Sequence, residues 1–222
     1  MGLFFRPLPE WLPGSSSSSL QITTSGECRL FDVEIIRILF LFFFVVFEIA
    51  FLSFAVFVLA SGFISQAKGA PYVPLPKKSI KNILKFAEIE NGGDFYDLGS
   101  GDGRVLIEAV KNFRVKRAVG YEISPWPYWK SRFLIRYQNL KEKIDIFKED
   151  FQNSDLREAD SVFLYLYPEA VKKLIPKFKE ELAFGSRIIS ASFPIDESGK
   201  LDLKLIKTGK IDRFNLFLYE KI

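Results

Sequence analysis

Residues 38–60 form a run of 23 in which only Glu48 and Ser53 are polar, and this run limits what the first third of the chain can become. At about 1.5 Å per helical residue it covers the roughly 30 Å hydrocarbon core of a bilayer, where a helix satisfies its own backbone polar groups. Glu48 opposes insertion by about 3 kcal/mol, whereas Leu, Ile, Phe and Val at about 0.3 to 0.6 kcal/mol each favour it, and the run holds 18 of them. The balance predicts a single transmembrane helix over 35–64. A cleaved signal peptide fits poorly, because the run is too long and the segment before it is neither short nor basic. No basic residue lies within residues 38–60, so a charged partner for Glu48 has to come from another chain; a protonated acid facing lipid is the alternative. Arg6, Arg29 and Arg37 precede or open the span, and Lys68, Lys77, Lys78, Lys81 and Lys85 follow it. The positive-inside rule therefore puts the C-terminal side in the cytoplasm.

Pro7, Pro9, Pro13, Gly14 and the serines at 15–19 predict a flexible N-terminal tail over 1–34. From position 71 onward apolar and polar residues alternate in short blocks, which predicts one soluble domain over 77–222 joined to the span by a linker at 65–76. The net charge of +4 is too mild for charge alone to suggest a nucleic-acid binder. Cys28 is the one cysteine and cannot form an internal disulfide, and the chain has no histidine. Zinc hydrolases and Ser/His/Asp hydrolases are excluded with it, and no metal is expected.

Ile80, Ile83, Leu84 and Ala87 recur at helical spacing. Beyond them, strands at 95–98, 118–123, 144–148, 162–167 and 187–193 alternate with helices at 104–113, about 125–139 and 169–182. Ser124 is the predicted N-cap of the second of these helices, with Pro125 at its first position. Two alternating stretches at 201–208 and 211–220 predict a closing hairpin turning at Gly209-Lys210. Alternation of this kind implies a parallel sheet wound by right-handed crossovers with one antiparallel strand at the end. The predicted architecture is a Rossmann-like, seven-stranded α/β domain behind the membrane helix.

Asp97-Leu98-Gly99-Ser100-Gly101-Asp102-Gly103 stands where the first strand meets its crossover helix, the place where open α/β sheets bind ligands. A nicotinamide fingerprint would need glycine where Arg104 stands, and a Walker loop would need Gly-Lys-Ser/Thr. Glycine at every second residue after an aspartate resembles instead the class I S-adenosylmethionine (SAM) methyltransferases, so SAM is the implied cofactor. Glu122 follows Gly101 by 21 residues, the spacing at which an acid accepts hydrogen bonds from ribose hydroxyls. Asp150 at the end of the third strand suits an adenine amino group, with Phe151 packing near the base; a solvated turn acid is the alternative for Asp150. Asp97, Gly99, Ser100, Gly101, Glu122, Asp150 and Phe151 are thus the expected cofactor-binding residues.

The order of pieces resembles a narrower group, the small membrane-anchored protein-lysine methyltransferases of mitochondria and their prokaryotic relatives, whose members modify the ATP synthase c subunit or the adenine nucleotide translocase. The matching pieces are the apolar run, Pro71-Tyr72-Val73-Pro74, the glycine loop, Gly120-Tyr121-Glu122 followed by Ser124-Pro125-Trp126, and Tyr165-Leu166-Tyr167-Pro168. Asparagine is frequent in that family where Ser124 stands. The resemblance implies lysine N-methylation of a membrane or membrane-associated protein, with Tyr72 and Tyr165 as catalytic hydroxyls that orient the amine. Read from the residues alone, two prolines around Tyr72 fix an extended segment that can place its phenol over the cleft or merely pack it on the sheet. Methylation of a lipid or quinone head group, and a non-catalytic SAM-binding module, stay open as alternatives. A nucleic-acid substrate is disfavoured, since the Asn/Asp-Pro-Pro-Tyr/Phe element of many base methylases is absent.

Overall fold

The computed structural model describes residues 24–67, 72–89, 92–195 and 202–222. The chain divides into two compact units, Met1–Leu52 and Ser53–Ile222. In its described part the first is the leading portion of helix α1 (Thr24–Ala67). This helix starts inside the stretch predicted as a tail, and Glu34 and Arg37 pair one turn apart at 3.0 Å just ahead of the apolar run. It also continues through residues 65–67 of the predicted linker. Within it Val33–Ile64, 32 residues, is long and apolar enough to cross a membrane, and its most apolar stretch is not buried against protein.

The second unit holds the end of α1 and a seven-stranded sheet. Its elements run α2 (Lys77–Ala87), β1 (Asp94–Leu98), α3 (Arg104–Asn112), β2 (Arg117–Tyr121), α4 (Pro125–Tyr137), β3 (Ile144–Phe147), β4 (Ser161–Leu164), α5 (Pro168–Glu181), β5 (Arg187–Ala191), β6 (Leu203–Ile211) and β7 (Phe214–Lys221). The strand order is β3-β2-β1-β4-β5-β7-β6. β1 to β5 are parallel, and β7 runs antiparallel to both its neighbours. The central parallel strands are buried on both faces, so they read as continuous apolar runs. Phe95 faces a core built with Ile83, Leu84, Leu106 and Ala109, while Tyr96 and Leu98 face a second core with Leu174 and Phe178 of α5. Leu98, Leu106, Leu164 and Leu174 are wholly buried, and each contributes about 1.5 to 3 kcal/mol by leaving water.

Three local predictions need correction. The closing hairpin turns at Asp212-Arg213, with Asp212 at φ 53° and its carboxylate accepting the Ser79 hydroxyl at 2.6 Å. Gly209 and Lys210 lie inside β6; a Cβ at Gly209 would stand 2.6 Å from the Phe86 ring, so that glycine serves close packing of α2 on the sheet. Ser124 sits at the N-cap position of α4 without a capping hydrogen bond from its side chain. Third, β3 ends at Phe147, and Asp150 lies beyond it as the cap of a 3-10 turn, accepting from the Gln152 amide at 3.1 Å.

Candidate active site

The strand order reverses between β1 and β4, and the crevice this opens at their carboxyl ends is where the loops of the first half of the domain converge. β1 delivers the loop 99–103. The amides of Gly99 and Ser100 both donate to the Tyr121 carbonyl at 3.0 Å, which bends the loop back onto the end of β2. Gly101 sits at φ 56°, where an L side chain is strained, and a Cβ there would meet the Tyr72 ring at 2.7 Å. Glycine is required twice over at this position.

Glu122 directly follows β2 and is 7% exposed. One carboxylate oxygen accepts the Gly101 amide at 2.9 Å and the other the Ser124 amide at 2.7 Å. The carboxyl is therefore fixed between the glycine loop and the start of α4. Burial pushes its pKa upward, against the pull of the amides. Ser124 cannot cap α4 because the first turn offers its hydroxyl no free N–H: the Trp126 amide donates to Ser61 and Pro127 has none, so among the described residues the buried hydroxyl makes no hydrogen bond.

The segment carrying Tyr72 is locked onto this loop by Arg104, the residue that opens α3. Its guanidinium donates to both oxygens of Asp102, at 2.7 and 2.6 Å, and to the Leu75 carbonyl at 2.7 Å. Lys130 of α4 adds a second ion pair to Asp102 at 2.9 Å. Burial raises the Asp102 carboxyl, but hydrogen bonds from Arg104 and Lys130 outweigh it, and the group is held well below the usual carboxylate range. Asp102 is thus the hub of an ion network. The Tyr72 hydroxyl is buried close to Asp102 and Arg104 and makes no hydrogen bond among the described residues. Burial, reinforced by the Asp102 charge, raises its pKa, so the phenol stays neutral. Pro71, the first residue of the predicted segment, lies outside the described residues.

All nine residues predicted for the site line one cleft: Tyr72, Asp97, Gly99, Ser100, Gly101, Glu122, Asp150, Phe151 and Tyr165. Tyr165 follows β4 and meets Phe214 edge to face at 5.7 Å. Asp97 is 3% exposed, and burial together with the Glu122 and Asp102 charges lifts its pKa well above normal. For an acid, a folded-state pKa above the unfolded value is a destabilising contribution that grows as pH rises past the ordinary carboxylate range. Asp97→Asn should accordingly melt at a higher temperature than wild type at pH 7.5 and at about the same temperature at pH 3, read by calorimetry on the ligand-free protein. A lower melting temperature at pH 7.5 would contradict the burial of an ionised Asp97. The two side chains that pattern reading missed are Arg104 and Lys130; the Asp-Gly-Arg spacing at 102–104 was the one local hint, and Lys130 had none.

A family profile described as the ANTKMT methyltransferase domain matches residues 97–200. A protein-lysine N-methyltransferase of Saccharolobus islandicus is 32% identical over 155 residues, covering 70% of this chain and 96% of that protein. The chain belongs to this methyltransferase family. A human lysine N-methyltransferase named for the C subunit of ATP synthase is 31% identical over 143 residues, covering 63% of this chain and 60% of the human protein. A crystal structure of an RNA methyltransferase from Salinibacter ruber in complex with S-adenosyl-L-homocysteine shares the fold at TM-score 0.62 and 29% identity, covering 67% of this chain and 94% of that one. The enzyme is thus a class I SAM-dependent methyltransferase. Its cleft fits that cofactor chemically. Among the described residues the buried hydroxyls of Tyr72 and Ser100 have no hydrogen-bond partner, the carboxyls of Asp97, Glu122 and Asp150 supply acceptors, and Phe151 supplies an apolar ring.

Proposed function

We propose that the enzyme transfers methyl groups to lysine side chains of proteins seated in or on a membrane, working from an anchored position on the cytoplasmic side. The observation that carries this reading is Tyr72, held over Gly101 by the Arg104 clamp with its hydroxyl buried, neutral and without a hydrogen bond among the described residues. The names of the Saccharolobus and human relatives support the lysine substrate.

Glu122 would hold the ribose hydroxyls of SAM, Asp150 and Phe151 the adenine edge, and Asp97, Gly99, Ser100 and Gly101 the remainder along the loop. When bound, SAM supplies an electrophilic methyl group on a sulfonium. The work left to the chain is alignment and exclusion of water. A lysine amine near pKa 10.4 lies about three units above neutral, so presenting its free base costs roughly 4 kcal/mol. Desolvation in the cleft lowers that cost, because it disfavours the ammonium form. Tyr72 and Tyr165 accept hydrogen bonds from the amine and aim its lone pair; with no histidine in the chain, the proton leaves to water. Tyr72→Phe should lower turnover about tenfold or more with SAM affinity nearly unchanged, measured by steady-state kinetics and calorimetry. Unchanged turnover would remove Tyr72 from catalysis.

Three observations support the anchor. Val33–Ile64 is long enough to span a bilayer, and its most apolar stretch is not buried as a soluble core helix would be. The end of α1 is also used by the domain: the Trp126 amide donates to the Ser61 hydroxyl at 2.9 Å, and Phe54 meets the Trp126 ring edge to face at 5.2 Å. Cleavage as a signal sequence would leave both groups of Trp126 without partners. Proximity to lipid also favours a second reading, methylation of a lipid or quinone head group. Mass spectrometry of membrane proteins from cells with and without the enzyme tests the first: methyl-lysine present only with the enzyme is expected, and an unchanged methyl-lysine inventory would contradict it.

A further inference from the structure

Helix α4 carries a surface that neither the core nor the cleft uses. Trp129, Phe133 and Tyr137 follow one another at four-residue intervals and are 53%, 67% and 77% exposed. The rings of Phe133 and Tyr137 stack at 6.1 Å, and the Arg132 guanidinium lies over Trp129 at 5.4 Å from its centroid. Arg136 is exposed in the last turn, and the thirteen residues of α4 include no acid. Three aromatic rings in a row with arginines beside them are costly to leave in water and are the composition of helices that lie at the headgroup level of a bilayer.

The first turn of α4 fixes where this surface sits. Trp126 is held by Ser61 and Phe54, both inside the apolar stretch Val33–Ile64. Its 32 residues measure about 48 Å as a helix, well over the roughly 30 Å of hydrocarbon. About 20 of them suffice to cross. Ser61 lies three residues from the C-terminal end of that stretch, so the start of α4 is held beside the end that leaves the hydrocarbon.

We propose that α4 is a second membrane contact, with Trp129, Phe133 and Tyr137 set into the headgroup layer and Arg132 and Arg136 on anionic lipid phosphates. This rests on the anchor reading above. Lys130 of the same helix holds Asp102 of the glycine loop, so the contact would fix the height of the cleft above the bilayer and select lysines that emerge close to it.

The test uses the full chain with Cys28→Ser in vesicles of phosphatidylcholine and phosphatidylglycerol, with an environment-sensitive fluorophore on a new cysteine at one site at a time. Phe133→Cys reads α4, Phe44→Cys reads the span, and Phe184→Cys, 85% exposed in the turn that leads into β5, reads water. Nitroxide lipids labelled near the headgroup should quench the probe at 133 and shift its emission to the blue, while the probe at 184 is unaffected. Charge reversal by Arg132→Glu with Arg136→Glu should weaken quenching at 133 and leave position 44 unchanged. A probe at 133 that behaves like the one at 184, with position 44 quenched by deep-labelled lipid, overturns the α4 contact and keeps the anchor. Positions 44 and 133 both in water overturn the two together. Shielding at 133 that appears on adding RNA but not vesicles overturns the lipid contact in favour of nucleic acid.

Discussion

A Glu122→Ala variant is expected to lose measurable SAM binding by calorimetry while its circular dichroism matches wild type. The carboxylate is already oriented by the Gly101 and Ser124 amides, and the two oxygens retain lone pairs for a vicinal diol. Hydrogen bonds to a charged group contribute about 1.5 to 3 kcal/mol each, so losing two corresponds to a fall in affinity of at least about a hundredfold. The fold should tolerate the change, because burial makes the ionised Glu122 unfavourable in the ligand-free protein. Glu122→Gln, which keeps one acceptor and the shape, should fall in between. The raised pKa adds a pH signature: wild-type affinity should decline on acidification before the ordinary carboxylate range is reached, and the Gln variant should show a weaker decline, left to Asp97. Affinity within a few-fold of wild type in Glu122→Ala would remove Glu122 as the ribose partner.

Arg104→Ala should give the second large effect, here on turnover. Removing the guanidinium leaves the Leu75 carbonyl without its donor and Asp102 with Lys130 alone, so the segment bearing Tyr72 is no longer tied to the glycine loop. A displacement of about 1 Å in an aligned site can cost on the order of a hundredfold in rate, and kcat should fall by about that much. Arg104→Lys should recover little, since an ammonium cannot reproduce a planar fork that reaches both Asp102 oxygens and a carbonyl. Turnover within threefold of wild type in Arg104→Ala would show that Tyr72 is held by other contacts.

These two residues illustrate how unevenly the sequence reveals the site. Glu122 and the glycine loop were legible because strand, turn and helix impose short, repeating offsets, and because a buried parallel strand leaves an unmistakable apolar run. The Arg104 clamp was not, since its carbonyl partner lies 29 residues away and no offset along the chain predicts the meeting. Gly209 misled for a related reason. A glycine between two alternating stretches is a turn signal, yet here its missing Cβ admits the Phe86 ring from α2, a contact visible only once α2 packs on β6. Ser124 had the right position and residue type for a cap, but the first turn of α4 leaves it no N–H to accept, since Trp126 donates to Ser61 and Pro127 has none.

The most direct test of the central claim is to incubate the purified full chain, in vesicles with native membrane protein, with SAM carrying a labelled methyl group, and to separate protein, lipid and nucleic acid afterward. The account predicts label in protein, recovered as methyl-lysine on hydrolysis, and none with Glu122→Ala. Label confined to the lipid extract or to nucleic acid, or undiminished in the Glu122→Ala reaction, would contradict it.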